Sequence, residues 1–138
     1  MNLQKTLLGG IVGGIVYFLL GYAVYGLLLK SFFETNGMVV DMEKMVWWAM
    51  IAGNLAGGFL LAYILSKSNA STAAKGAGIG IVVGLLTSLS FDLIMFGTGQ
   101  NPMTTTGICA DVAASAVMTA IAGAIVAAVM GMGKKAAA

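Results

Sequence analysis

Four long apolar runs dominate this chain and leave little room for any architecture but one. A helix crossing about 30 Å of hydrocarbon needs about 20 largely apolar residues. Stretches of that kind run approximately over residues 7–29, 45–65, 76–97 and 107–132, and the connections between them are too short to hold a further domain. The expected fold is therefore an all-α integral membrane protein, a four-transmembrane-helix bundle occupying 1–138 as a single domain. Composition fits a chain solvated by lipid: 59% of the residues are hydrophobic and 9% charged, against about 25% charged in a soluble domain. Residues 1–6 carry one lysine and no evident small-residue cleavage site, so the first span reads as retained and not as a signal peptide.

Lysines set the expected orientation, because cytoplasmic segments collect them. Lys5 precedes the first span, Lys67 and Lys75 flank the second connection, and Lys134 and Lys135 follow the last span. All five fall on one side of a four-span chain, which predicts both termini inside. The first connection holds Lys30 and Lys44 offset by Glu34, Asp41 and Glu43, and the connection over 98–106 has no charge. Both are assigned outside. Trp47 and Trp48 then stand at the outer end of the second span and Tyr63 near its inner end, where ring systems favour the headgroup boundary.

Several chemistries are excluded at this stage. The formal charge of +2 is too small to propose nucleic acid as a partner, and the chain has neither arginine nor histidine. One cysteine, Cys109, precludes an internal disulfide and a cysteine-based metal cage; it reads as a small apolar filler. The ten methionines lack the clustering of a copper path and read as adaptable packing. No cofactor, metal site or catalytic group is expected, and the expected partners are membrane lipids and another membrane protein or a second copy of the chain.

Each half of the chain begins inside and makes an out-and-back hairpin, so the halves overlay without inversion. Gly9 and Gly13 align with Gly76 and Gly80, and a one-residue shift places Asn54 over Asp111. That predicts two tandem parallel helical hairpins about an axis along the membrane normal. Small residues also recur every four positions: Gly9, Gly13 and Gly21, then Gly53 and Gly57, then Gly76, Gly80 and Gly84, then Ala116, Ala120, Ala124 and Ala128. Such stripes let helix backbones approach closely in lipid. They read first as helix packing, with a pore lining or a homodimer face as the alternative.

Two acids, Asp92 and Asp111, fall within spans, where a charge at the bilayer centre costs about 2.5 to 3.5 kcal/mol or more. They lie at matching depth on sequential helices, roughly 6 to 8 Å below the outer boundary. In one reading the carboxyl groups face each other and share a proton or a cation, with Asn54, Ser88, Ser90 and Tyr25 completing an intramembrane polar site. In the other, each acid accepts hydrogen bonds from the 98–106 connection, Thr104, Thr105 and Thr106 included, and ties the outer hairpin. Asn54, deeper in the second span, reads as hydrogen-bonding glue to a neighbouring helix.

The first span ends Gly21, Tyr22, Ala23, Val24, Tyr25, Gly26, Leu27, Leu28, Leu29, Lys30, Ser31, Phe32, Phe33. This resembles the pattern of glycine, then tryptophan-tyrosine-glycine, then bulky aromatics that opens the small bacterial four-helix membrane proteins catalogued as domain of unknown function 1761. Val24 stands where that pattern has tryptophan. The resemblance implies a four-helix fold and a bacterial cytoplasmic (inner) membrane address, and transfers no activity. Read from the residues alone, the first expectation is a structural or interaction bundle. The alternative is a small proton- or cation-coupled transporter or channel using Asp92 and Asp111; an enzyme ranks last, since two carboxylates are all it would have to work with.

Overall fold

The computed structural model describes residues 2–100 and 102–133, which contain helices and no strand. Helix α1, Leu3–Gly21, continues without a break into a π-helical segment, Tyr22–Leu28. After it come a short helix α2, Lys30–Thr35, and a 3-10 turn, Met42–Lys44. Helices α3, Trp47–Lys67, α4, Ala73–Gly97, and α5, Thr105–Gly131, complete the chain. Four helices are long and apolar enough to cross a membrane: Leu3–Leu28, Trp47–Lys67, Ala73–Gly97 and Thr105–Gly131. These are the four expected spans, and their ends differ from the expected ones by up to four residues.

Polar caps, which hydropathy does not register, account for three of the starts. The Asn2 side chain accepts from the Lys5 amide, Thr72 from Lys75 and Thr104 from Gly107, each satisfying an otherwise orphaned N–H of a first turn. Helices α1, α4 and α5 therefore begin two to four residues before the apolar runs do. The first connection is also more ordered than its charge pattern implies. Phe33 of α2 is 1% exposed and packs with Met103 and Ile108, so the segment after the π-helix folds back onto the bundle. Gly37, at φ +99°, lies against the Pro102 carbonyl where a Cβ would collide, and the neighbouring Asn36 carbonyl accepts the Thr104 amide at 3.0 Å.

The most extensive helix pairings are α4 with α5 and α1 with α3, and α1 also crosses α5. Glycine makes the closest of these approaches. A Cβ at Gly76 would overlap the Gly123 carbonyl oxygen, and one at Gly80 the Thr119 carbonyl oxygen. At Gly84 it would meet Thr119 Oγ1 at 2.6 Å. Gly9 lies against Met130 and Gly13 against the Gly58 Cα, while Gly57 is in ordinary contact with the Tyr17 ring. Gly53 and Gly21 depart from the expected stripes, because neither has a heavy atom within 4 Å of where its Cβ would be. Helices α1 and α3 cross at Gly10, Gly14 and Gly58 and leave these two positions beyond the crossing.

The two ends of the bundle differ in charge. At one end, Lys5 Nζ donates to the Met132 carbonyl at 2.7 Å and Thr6 Oγ1 lies 3.2 Å from Ser66 Oγ, joining the start of α1 to the ends of α3 and α5. Lys67 and Lys75 belong to this end, and the Lys67 ammonium sits 5.7 Å from the Tyr63 ring centroid. Lys134 and Lys135 lie outside the described residues. At the other end, Lys30 pairs with Glu34 at 4.0 Å and Lys44 with Asp41 at 3.6 Å. Both pairs are exposed and contribute little.

Candidate functional site

Register along the α4–α5 seam builds the site. Ser115 Oγ donates to the Gly84 carbonyl at 3.2 Å, which is close approach licensed by the missing side chain at Gly84. One turn further on, the same seam places Ser88 of α4 beside Asp111 of α5. Ser88 Oγ lies 3.1 Å from Asp111 Oδ2 and 3.4 Å from Asp92 Oδ2. Ser88 and Asp92 are four residues apart, hence on one face of α4. Asp92 is 3% exposed, and the Ser88 hydroxyl stands between its carboxyl group and that of Asp111.

A third helix completes the group. The Tyr25 hydroxyl, at the centre of the π-helical segment, donates to Asp111 Oδ1 at 2.5 Å. π-Helical turns are rare and recur at functional positions because the extra residue re-aims side chains. Here the Leu29 amide bonds the Val24 carbonyl, five residues back, at 2.8 Å. The Tyr25 ring is supported by Phe33, centroid to centroid 5.0 Å, and Phe33 is held by Phe32 in an edge contact at 5.5 Å.

Tyr25, Ser88, Asp92 and Asp111 are thus brought together from α1's extension, α4 and α5. Two expected members are not. The Asn54 side-chain amide donates to the Met50 carbonyl of its own helix at 2.7 Å, while its backbone lies against Gly14 of α1. Ser90 is exposed, two residues and therefore about half a helical turn off the Ser88–Asp92 face. Two threonines of the 98–106 connection bond to groups other than the acids: Thr98 donates to the Ile94 carbonyl at 3.0 Å, and Thr104 caps α5 and donates to Asn36 Oδ1 of the first connection at 2.7 Å. Phe33 was not among the candidates. Its signal in the sequence is an aromatic pair placed directly after the first charged residue beyond the span.

The charge balance of the site is unusual for its depth. Two carboxyl groups offer about eight acceptor positions, and among the described residues two hydroxyl hydrogens meet them, one from Tyr25 and one that Ser88 donates to either acid. Among the described residues no lysine pairs with either acid: the ion pairs Lys30–Glu34 and Lys44–Asp41 lie in the first connection. All the surrounding ligand atoms are oxygen, the type that suits protons and hard cations. No protein-family model, curated protein or solved structure matches the chain.

Proposed function

We propose that this chain is a multi-pass protein of the bacterial cytoplasmic membrane, with both ends inside, whose Tyr25–Asp111–Ser88–Asp92 group binds a proton or a small cation as the working centre of a small coupled carrier or channel. The observation that carries this reading is that one serine hydroxyl stands between two acids, with too few donors among the described residues to satisfy two charges. In lipid, one added proton or cation removes that deficit at lower cost than holding both carboxylates charged. Residues alone favour an interaction role; the convergence of these four groups shifts the weight toward ion binding.

Orientation is supported by the gathering of Lys5, Lys67 and Lys75 at one end of the bundle, with the mixed charges at the other. The dominance of the α1–α3 and α4–α5 pairings supports two tandem hairpins. The resemblance to the domain of unknown function 1761 type rests on 21–33 and adds no activity.

An interaction role is favoured by one separate feature, the start of α3. Residues 46–53 are all exposed, Trp48 at 75%, and Gly53 has no heavy atom within 4 Å of its Cβ position, so the helix surface around Gly53 is open to a partner.

Infrared difference spectroscopy of reconstituted protein between acid and alkaline buffer tests the ion-binding reading. Replacing Asp92 by Asn is expected to shift the carboxyl band of Asp111, and Asp111→Asn that of Asp92, because a shared proton belongs to both. Two bands that titrate independently and ignore each other's substitution would remove the shared site and leave the interaction role.

A further inference from the structure

A cavity of about 340 Å³ opens at the lysine end of the bundle, within the range of small-molecule sites, about 300 to 1,000 Å³. Its polar wall is Asn2, Lys5, Ser66, Asn69 and Ser71, and its floor includes Leu65 and Met130. Three chain segments meet there: the start of α1, the end of α3 with the turn that follows it, and the end of α5. The turn is shaped for this position. Asn69 adopts the left-handed conformation at φ +51°, and the Ala70 amide bonds back to the Leu65 carbonyl at 2.9 Å.

The electrostatics of the cavity are one-sided. Glu34, Asp41, Glu43, Asp92 and Asp111 are all the acids of the chain, and each belongs to the opposite half of the bundle. Among the described residues, Lys5 therefore has no side-chain carboxylate to pair with. Its ammonium carries three donors and spends one on the Met132 carbonyl, which fixes the head at the cavity wall. The Thr6 hydroxyl donates to the Asn2 carbonyl at 2.9 Å and lies 3.2 Å from Ser66 Oγ, a contact that holds Ser66 at the cavity wall. Lys67 and Lys75 add positive potential at the same end, and in the sequence Lys134 and Lys135 follow Met132 within three residues.

We propose that this cavity binds a phosphate group, presented by an anionic phospholipid of the adjoining leaflet or free in solution. Lys5 supplies the charge, Ser71 and Asn69 supply neutral donors, and the apolar floor accepts the start of a glycerol or acyl chain. A basic pocket between helix ends at the cytoplasmic surface is the arrangement that anionic headgroups favour. A zwitterionic headgroup fits less well, since its ammonium finds no acid here. This inference rests on the membrane reading above, and on the orientation only for which leaflet supplies the lipid.

The test is native mass spectrometry of the full-length protein in detergent, titrated with phosphatidylglycerol, phosphatidylethanolamine or inorganic phosphate. Phosphatidylglycerol is expected to be retained over phosphatidylethanolamine, with Lys5→Gln weakening retention about fivefold, and Lys30→Gln at the far end and Lys75→Gln outside the cavity having little effect. Competition by inorganic phosphate would identify free phosphate as the ligand; its failure to compete would identify the lipid. If Lys5→Gln does not fold, Asn69→Gly serves instead, because glycine keeps the left-handed turn while deleting the amide. Equal retention of both lipids, or equal loss in Lys75→Gln and Lys5→Gln, would overturn the site. Extraction of the protein from membranes by alkaline carbonate would instead overturn the membrane reading, whatever the detergent titration shows.

Discussion

The Tyr25 hydroxyl lies 2.5 Å from Asp111 Oδ1, across 86 residues of chain, and this contact is what ties the π-helical end of the first span to the α4–α5 seam. A hydrogen bond to a charged or partly charged carboxyl contributes about 1.5 to 3 kcal/mol. Tyr25→Phe keeps the ring on Phe33 and removes only the bond, so it is expected to lower thermal stability in detergent by that order. A double-mutant cycle with Asp111→Asn checks the assignment: additive losses would show that the two residues do not act on each other.

Substitutions at Asp92 separate a shared proton from a bare charge. Asparagine has the shape of a protonated aspartic acid, so Asp92→Asn is expected to unfold at the wild-type temperature. Asp92→Ala strips Ser88 of a buried partner and is expected to cost about 1 to 3 kcal/mol. Thermal unfolding of both variants at neutral pH is the measurement. An Asp92→Asn variant as unstable as Asp92→Ala would mean that the negative charge itself is required.

Glycines divide into two groups with opposite expected responses. Gly76→Ala and Gly80→Ala place a Cβ on a backbone oxygen of α5, which cannot move without separating the helices, and are expected to destabilise strongly. Gly53→Ala and Gly21→Ala meet open space and gain about 0.5 to 1 kcal/mol from helix propensity. Parallel unfolding measurements on the four variants decide this. A loss at Gly53 confined to membranes or to high protein concentration would reveal a partner on the exposed face of α3.

Orientation is open to a labelling experiment. In a Cys109→Ser background, Ser68→Cys is expected to react with a membrane-impermeant maleimide only after the cells are permeabilised, and Glu43→Cys in intact cells. The reverse pattern would place the lysine end outside and move the proposed phosphate site to the other leaflet.

Particular residues show where sequence reasoning reaches the site. Asp92 and Asp111 stand out because a lone acid in an apolar run needs a reason, and their common depth follows from counting residues to the span ends. Tyr25 and Ser88 were candidates by proximity alone. Asn54 was misjudged because an amide on a helix has its own carbonyl four residues back as a competitor. Thr98 back-bonds to its own helix for the same reason, while Thr104 finds a distant partner, Asn36, that no local pattern marks.

Sequence by itself determined the solvent, the number of spans and the confinement of the acidic side chains to one half of the bundle, because length, hydropathy and charge are local properties of a chain that must satisfy every backbone group inside lipid. Only the tertiary structure decided which side chains meet. The rotation of α4 against α5 is set by where glycine lets two backbones touch, at Gly76, Gly80 and Gly84, and that rotation places Ser88 between the acids. The π-helical turn that directs Tyr25 toward Asp111, and the lysine-end cavity formed where three segments converge, arise from the same cause: long-range packing selects among local conformations that hydropathy does not distinguish.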